Sequence, residues 1–370
     1  SCLLARSLRA VVDAPLVLTY HTKYDVDIAK AVRGKLLQES AIRALVQNVA
    51  SCDEVWVVSR GAGENLRLLG YEGDYIVMEN GVDVPRGRVS DEAIAAATGG
   101  YDLPQNVPVF LFVGRLMWYK GIRIILDALK TLREKDVDFR MVFVGEGADG
   151  AEIRSYAEEL KLSDRCFFTG AISDREVIRA WYGRADLFLF PSTFDTNGLV
   201  VREAAASGTA TVMIRNSCAS EGVSDGRNGF CIEENAAAMA AKLEELCRAP
   251  ETMRTVGENA QRELYVSWET AVQRAMARYE VVIDNYRSGK YPPHDRFGDE
   301  FFKSQGDLME AFASVGELSE EIAAGLRAER DEASQAIIRS RQELRERFGE
   351  TKQELAARYE TILQKMDRYL

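Results

Sequence analysis

The stretch VFLFVGRLMWYKGIRIILDALKTLREK (residues 109–135) decides the fold. Its first five residues are apolar without alternation, which predicts a strand buried on both faces. Gly114 ends that strand. A loop carrying two cations, Arg115 and Lys120, follows and runs into a segment with apolar residues at helical spacing. The same rhythm continues toward the carboxyl end. FRMVFVGEG, CFFTG, DLFLFPS and ATVMI read as strands, and AEIRSYAEELKL, EVIRAWYGRA and GLVVREAAASG as helices. Continuously apolar strands alternating with helices imply an open, doubly wound α/β domain. Ligands of such sheets bind at the carboxyl ends of the strands.

Toward the amino end the rhythm is less regular. LVLTY (16–20), VWVV (55–58) and YIVME (75–79) read as strands. Helices are expected at 3–12, 28–49 and over ENLRLLGY, and NGVDVPRGR (80–88) breaks all periodicity. Residues 236–288 read as helical, with Trp268 and Tyr279 as packing anchors. From about 315 to 370, apolar residues recur in steps of three, four or seven from Val315 to Leu370. That pattern reads equally as a packed helical tail or as a coiled coil that makes a homo-oligomer.

Composition limits the chemistry. The chain has 370 residues, 47 Lys and Arg against 58 Asp and Glu, and a net charge of −11. An acidic balance argues against a nucleic-acid partner. With only His21 and His294, a site built mainly of histidines is excluded. Six cysteines without a CxxC pair read as reduced thiols of a cytoplasmic protein. No run approaches the roughly 18 apolar residues of a membrane span. Helix 28–49 carries Lys30, Arg33, Lys35 and Arg43 against Glu39. Such a basic face is either solvated or laid on an anionic membrane as a peripheral contact.

Three segments carry candidate chemistry. In 111–121, Arg115 and Lys120 lie in a strand-to-helix loop with free backbone N–H groups, which suits a diphosphate. In 190–208, Gly198 lets the backbone approach a ligand, and the helix amides after it could hold phosphate oxygens. Glu203, eight positions after Asp195, could accept from two adjacent sugar hydroxyls. In TYHTKYD (19–25), His21 stands where a buried strand ends. Taken singly, each residue reads as well as an ordinary surface cation, a solvated glutamate or a structural histidine. Asp136-x-Asp138 falls at a strand's amino end and reads as surface. No G-x-G-x-x-G or Walker pattern is present.

Together these segments resemble the GT-B-fold, retaining glycosyltransferases of family four, from about Pro15 to Tyr286. The resemblance rests on HT after a strand, SRG, NGVD, FVGRL…KG, VGEG, FTG, ADLFLFPS and FDTNGLVVREAAASG, in that order. YHTKYD and FDTNGLVVREAAASG look most like glycolipid-forming members that glucosylate diacylglycerol.

The resemblance implies a first, partial Rossmann-like domain at 1–84 on the acceptor side and a linker at 85–106. It implies a nucleotide-sugar-binding Rossmann-like domain at 107–290 and a helical tail at 291–370. It implies catalytic roles for His21, Asp195 and Glu203, with His21 facing the donor sugar and Glu203 on the nucleotide ribose. Arg115, Lys120, Gly198 and Leu199 would hold the donor diphosphate, and Gly114, Gly145, Glu146 and Gly170 would form donor loops. Asp195 stands where the family usually has Glu, one methylene longer.

The implied reaction passes a hexose from a UDP-sugar or GDP-sugar to a lipid or glycan hydroxyl, with no metal and no further cofactor. A non-catalytic nucleotide-sugar module, a phosphorylase and an epimerase of the same fold are the alternatives. The opening βα units of such an amino-terminal domain have no counterpart here, so the chain alone is expected to turn over little substrate. A cytoplasmic location, peripheral on the inner membrane face, completes the expectation.

Overall fold

The computed structural model describes residues 13–31 and 34–292. The expected helix at 3–12, His294 and the amphipathic segment 295–370 lie outside the described residues, as does Arg33. The chain divides into two compact units. Of the described residues, the smaller takes 13–18, 43–55 and 281–292, and the larger takes 19–31, 34–42 and 56–280.

The larger unit is built on a six-stranded sheet. Its strands are β4 (Val109–Val113), β5 (Arg140–Val144), β6 (Cys166–Gly170), β7 (Leu187–Phe190), β8 (Ala210–Ile214) and β9 (Phe230–Ile232). They lie in the order β6-β5-β4-β7-β8-β9, and every neighbouring pair is parallel. Strands added first on one side and then on the other place a switch point between β4 and β7.

Both faces of the sheet are covered. Phe110 and Phe112 of β4 join Met141, Phe143, Leu187 and Leu189 in one core. Helix α5 (Ile122–Glu134) closes that face with Ile122, Ile125, Leu126, Leu129 and Leu132, and α9 (Ala236–Cys247) adds Leu243 and Leu246. Val109, Leu111 and Val113 point the other way, into a second core with Phe188 and Phe190. There α7 (Arg175–Arg184) contributes Trp181 and Tyr182, and α8 (Leu199–Ala206) contributes Val201 and Ala204. A strand with side chains buried on both faces has no reason to alternate, which is why these strands read as unbroken apolar runs.

Local signals fix the helix ends. Asp174 caps α7 by accepting from the backbone N–H groups of Glu176 and Val177, and Asn235 caps α9 through Ala238 N. Helix α6 (Gly150–Glu159) follows β5, and α10 (Pro250–Glu263) opens on proline, whose missing N–H costs nothing there.

Three further strands, β1 (Val17–Tyr20), β2 (Glu54–Val57) and β3 (Ile76–Val77), form a sheet in that order. Helix α3 (Arg60–Leu68) follows β2 and is capped by Ser59, which accepts from Ala62 N. The strand expected at 75–79 shortens to two residues. The helix expected at 28–49 is broken into α1 (Tyr24–Ala31) and α2 (Lys35–Ala50), with Gly34 between them at φ +100°. On α2, Leu36 and Leu37 are 78% and 63% exposed.

The segment 85–106 holds α4 (Asp91–Thr98), which buries Ile94 and packs on α7. Residues 236–288 resolve into α9, α10 and α11 (Trp268–Arg287). Neither expected anchor is buried: Trp268 opens α11 at 45% exposure, and Tyr279, 42% exposed, lies against Trp56 with ring centroids 4.7 Å apart and the planes tilted by 41°. No helix among the described residues is long and apolar enough to cross a membrane.

Leu129 is fully buried between α5 and the sheet. Leu129→Ala should cost about 2–5 kcal/mol, read as a lower denaturant midpoint at unchanged slope.

Candidate functional site

The switch point between β4 and β7 opens a crevice at the carboxyl ends of the strands, because the loops leaving them diverge. The neighbouring loops are laced together by their backbones. Gly114 N donates to Val144 O at 3.0 Å, Gly145 N to Gly170 O at 2.8 Å, and Leu116 N to Glu146 O at 3.1 Å. This makes one rigid rim of the ends of β4, β5 and β6.

After Gly114 the chain makes a single 3₁₀ turn, Trp118–Lys120, before α5. Trp118 N donates to Asp149 Oδ2 at 2.8 Å. The Arg123 guanidinium lies 4.4 Å from the Trp118 ring and 4.5 Å from the Tyr156 ring, which clamps the turn from below. Gly121 then takes the left-handed conformation, φ +79°, and a Cβ there would collide with the Pro191 carbonyl. Glycine is required because the β4 and β7 loops touch at this point.

This contact sets Lys120 beside the β7–α8 loop. The Lys120 residue is 9% exposed, and its Nζ donates to both carboxylate oxygens of Asp195, at 2.6 and 2.8 Å. Gly198 begins α8 at φ +61°, and a Cβ would stand 2.7 Å from that of Ala219. The loop is also held to the amino-terminal segments of the larger unit. Thr196 Oγ1 donates to His21 O at 2.7 Å, Ser59 Oγ donates to Thr196 O, and buried Asn197 donates from Nδ2 to Val58 O at 3.0 Å. Arg202 reaches back to Asn197 Oδ1 and pairs with Glu79 at 2.8 Å. The Glu221 carboxylate accepts from the backbone of Arg60 and Gly61 at the start of α3.

The result is a pocket of about 260 Å³ whose lining includes His21, Asn80, Gly114, Lys120, Asp195, Gly198 and Leu199. Six of the residues singled out from the sequence therefore meet at one place. Arg115, Gly145, Glu146, Gly170 and Glu203 lie outside the lining. Arg115 and Glu146 are exposed. Glu203 is half-buried on α8 and accepts from the Tyr182 hydroxyl at 3.1 Å. Burial pushes its carboxyl above the ordinary range, while the Tyr182 hydrogen bond and the Arg175 charge pull it back. Burial also lowers the His21 imidazole below its usual 6.5, so the ring is neutral at pH 7.

A larger cleft, about 1080 Å³, lies at the amino ends of β7 and β8. Its cations are already engaged there: Arg184 donates to the carbonyls of Leu103 and Pro104, and Arg88 to that of Gly183. The smaller pocket is at the ligand-binding end of the sheet. Thr196, Asn197, Ser59 and Glu221 were not picked out as functional from the sequence. Thr196 and Asn197 lie inside the quoted 190–208 segment, but their partners are more than a hundred residues away and no spacing rule reveals them.

Residues 98–263 match the family model described as glycosyl transferases group 1. The alpha-monoglucosyldiacylglycerol synthase of Streptococcus pneumoniae is 25% identical over 241 residues, 64% of this chain and 54% of that protein. A D-inositol 3-phosphate glycosyltransferase of Xylanimonas cellulosilytica is 32% identical over 215 residues, 54% of this chain and 50% of its own length. The chain thus spans about half the length of these curated relatives. Among solved structures, Anabaena Alr3699/HepE in complex with UDP superposes with a TM-score of 0.64 at 21% identity, covering 75% of this chain and 77% of that one. Sucrose-phosphate synthase of Thermosynechococcus elongatus gives 0.60 at 25% identity, covering 72% and 67%. Parallel switch-point sheet, glycine-laced rim and family match coincide: residues 98–263 match the group 1 glycosyl transferase model, and the chain shares the fold of these solved structures.

Proposed function

We propose that the pocket at the β4–β7 switch point binds a nucleoside diphosphate sugar, a UDP-sugar or a GDP-sugar. In this reading the chain passes the hexose to a hydroxyl of a lipid or glycan with retention. The observation that carries this is the convergence of Lys120, the Gly198–Leu199 start of α8 and His21 on one small pocket. An ammonium and free helix N–H groups facing the same space suit phosphate oxygens. One curated relative quoted above is an alpha-monoglucosyldiacylglycerol synthase, which favours a lipid acceptor.

The roles follow from the chemistry. Lys120 and Arg115 neutralise charge that grows on the diphosphate as the sugar bond breaks, an electrostatic stabilisation of the leaving group. Arg115, exposed at the pocket's edge, reaches the phosphates from outside. The neutral His21 faces the sugar. The Glu203 carboxylate, whose partner Tyr182 is uncharged, retains acceptor capacity for ribose hydroxyls. The reading calls for no metal and no further cofactor. It is a cytoplasmic reaction, and Leu36 and Leu37 beside Lys35 are the residues that would touch a membrane carrying the acceptor.

Calorimetric titration with UDP, GDP and their sugars tests this. Removing both cations in an Arg115→Ala, Lys120→Ala variant should weaken the bound nucleotide at least tens-fold, since charge-assisted hydrogen bonds are worth roughly 1.5–3 kcal/mol each. Equal binding by both proteins would refute it.

The histidine makes a separate expectation. In an NMR titration of the chain, the resonance lost on His21→Gln should titrate below 6.5. A folded value depressed below the unfolded one contributes stability that is present above about pH 6.5 and lost as pH falls toward the folded value. His21→Gln should therefore flatten part of the stability loss on the acid side.

A further inference from the structure

The donor pocket contains one permanent cation and one carboxylate, and they are bonded to each other. Among the residues lining it, Lys120 carries the only full positive charge and Asp195 the only negative one. Asp195 takes two of the three ammonium N–H groups, at 2.6 and 2.8 Å. The pair is shielded: the Lys120 side chain is 11% exposed and that of Asp195 24%. A diphosphate in this pocket meets a like charge, and it must compete with that charge for the same donors.

We propose that Asp195 acts chiefly as the exchangeable counter-charge of Lys120 and so sets how tightly the nucleoside diphosphate is held. This rests on the diphosphate reading of the pocket. Three features of the site support it. First, both carboxylate oxygens lie on the ammonium, so the side chain is oriented by Lys120. Second, the loop that carries Asp195 is fixed at Thr193 O by Lys23, at Thr196 by His21 O and Ser59, and at Asn197 by Val58 O. The carboxylate is therefore delivered to Lys120 by a braced loop. Third, Gly121 packed on the Pro191 carbonyl fixes the other partner. A charge pair preset in this way is broken by an incoming phosphate and re-forms as the nucleotide leaves, which weakens retention of the nucleoside diphosphate after transfer. Asp195 is thus a residue that trades donor affinity for product release.

The proposal separates from the alternative in which Asp195 reads a sugar hydroxyl. A hydroxyl reader matters to the nucleotide sugar and leaves the bare nucleoside diphosphate unaffected. A counter-charge affects both in the same direction, and removing it tightens both.

The test is calorimetric titration of UDP, GDP, UDP-glucose and GDP-mannose into wild type, Asp195→Asn, Lys120→Met and the double variant, each checked for folding by circular dichroism. Asp195→Asn should bind the preferred nucleoside diphosphate about ten-fold or more tightly than wild type, the scale of one charge-assisted hydrogen bond. The gain should vanish in the Lys120→Met background. Should Asp195→Asn fail to fold, Asp195→Ser gives the same reading.

If Asp195→Asn leaves UDP and GDP binding unchanged or weaker, the counter-charge role is wrong, and the donor-site reading survives if Lys120→Met still loses the nucleotide. Weakening of the nucleotide sugar alone would assign Asp195 to the sugar. If no protein in the series binds any of the four at millimolar concentration, the donor-site reading falls and this proposal falls with it.

Discussion

The parallel pairing of β4 with β7 is the constraint on which the site depends. The two strands are neighbours in the sheet but separated in sequence by two complete strand–helix excursions. Their register is pinned at the amino end by Asp186. Its carboxylate accepts from Val109 N at 2.8 Å, while its own N–H donates to Val109 O. Desolvation raises the carboxyl of Asp186 above the ordinary range, while the Val109 N–H and the Arg184 charge pull it back. With the amino ends clasped, the carboxyl ends arrive side by side, and the loops beyond them have to part. That parting makes the crevice, and the contact of Gly121 with the Pro191 carbonyl sets its width.

A second layer of constraint comes from neutral hydrogen bonds rather than from apolar packing. The β7–α8 loop is tied to Val58, Ser59 and His21 by side chains of its own, Thr196 and Asn197, and by the Ser59 hydroxyl. Each such bond is worth about 0.5–1.5 kcal/mol net. Their number matters less for stability than for placement, since they fix the His21 carbonyl and the Asp195 loop to one another. Asn197 is buried, and leaving its amide unpaired would cost more than the bond contributes. The loop is therefore specified by satisfaction of polar groups, a constraint that acts over a few tenths of an ångström.

The difference between these two kinds of constraint explains what was legible in the sequence. Unbroken apolar runs such as VFLFV report burial on both faces, so the parallel sheet and its covering helices could be read directly. Glycines after strands reported where backbones meet, and six of the candidate residues line one pocket, while Arg115, Gly145, Glu146, Gly170 and Glu203 stand outside it. The partner of Lys120 could not be read, because Asp195 lies 75 positions away and only the closed sheet brings them together. Nor could the break at Gly34, since periodicity on either side of a glycine continues in phase and only φ +100° reveals the turn. Trp268 misled for a related reason. Helical spacing says that a face is apolar, but not that anything covers it. Helix α4 was hidden because its alanines carry little amphipathic signal within a segment opened by proline and glycine.

Two carboxylates, Asp195 in the pocket and Glu203 on α8 outside its lining, are held in contrasting ways. Asp195 faces a cation that compensates it, with both carboxylate oxygens on the Lys120 ammonium. Glu203 faces a phenol, and Tyr182 is itself so buried that its own ionisation is driven far up. A hydroxyl donor stabilises the carboxylate without neutralising it, which leaves burial as the dominant influence on Glu203. A half-buried carboxylate whose hydrogen-bond partner is a neutral hydroxyl can take further hydroxyl donors, each supplying a hydrogen bond without the desolvation cost of bringing in a cation. One carboxylate is thus compensated by an ammonium and the other is bonded to a buried hydroxyl, and both are placed by the same eight-residue helix and the loop before it.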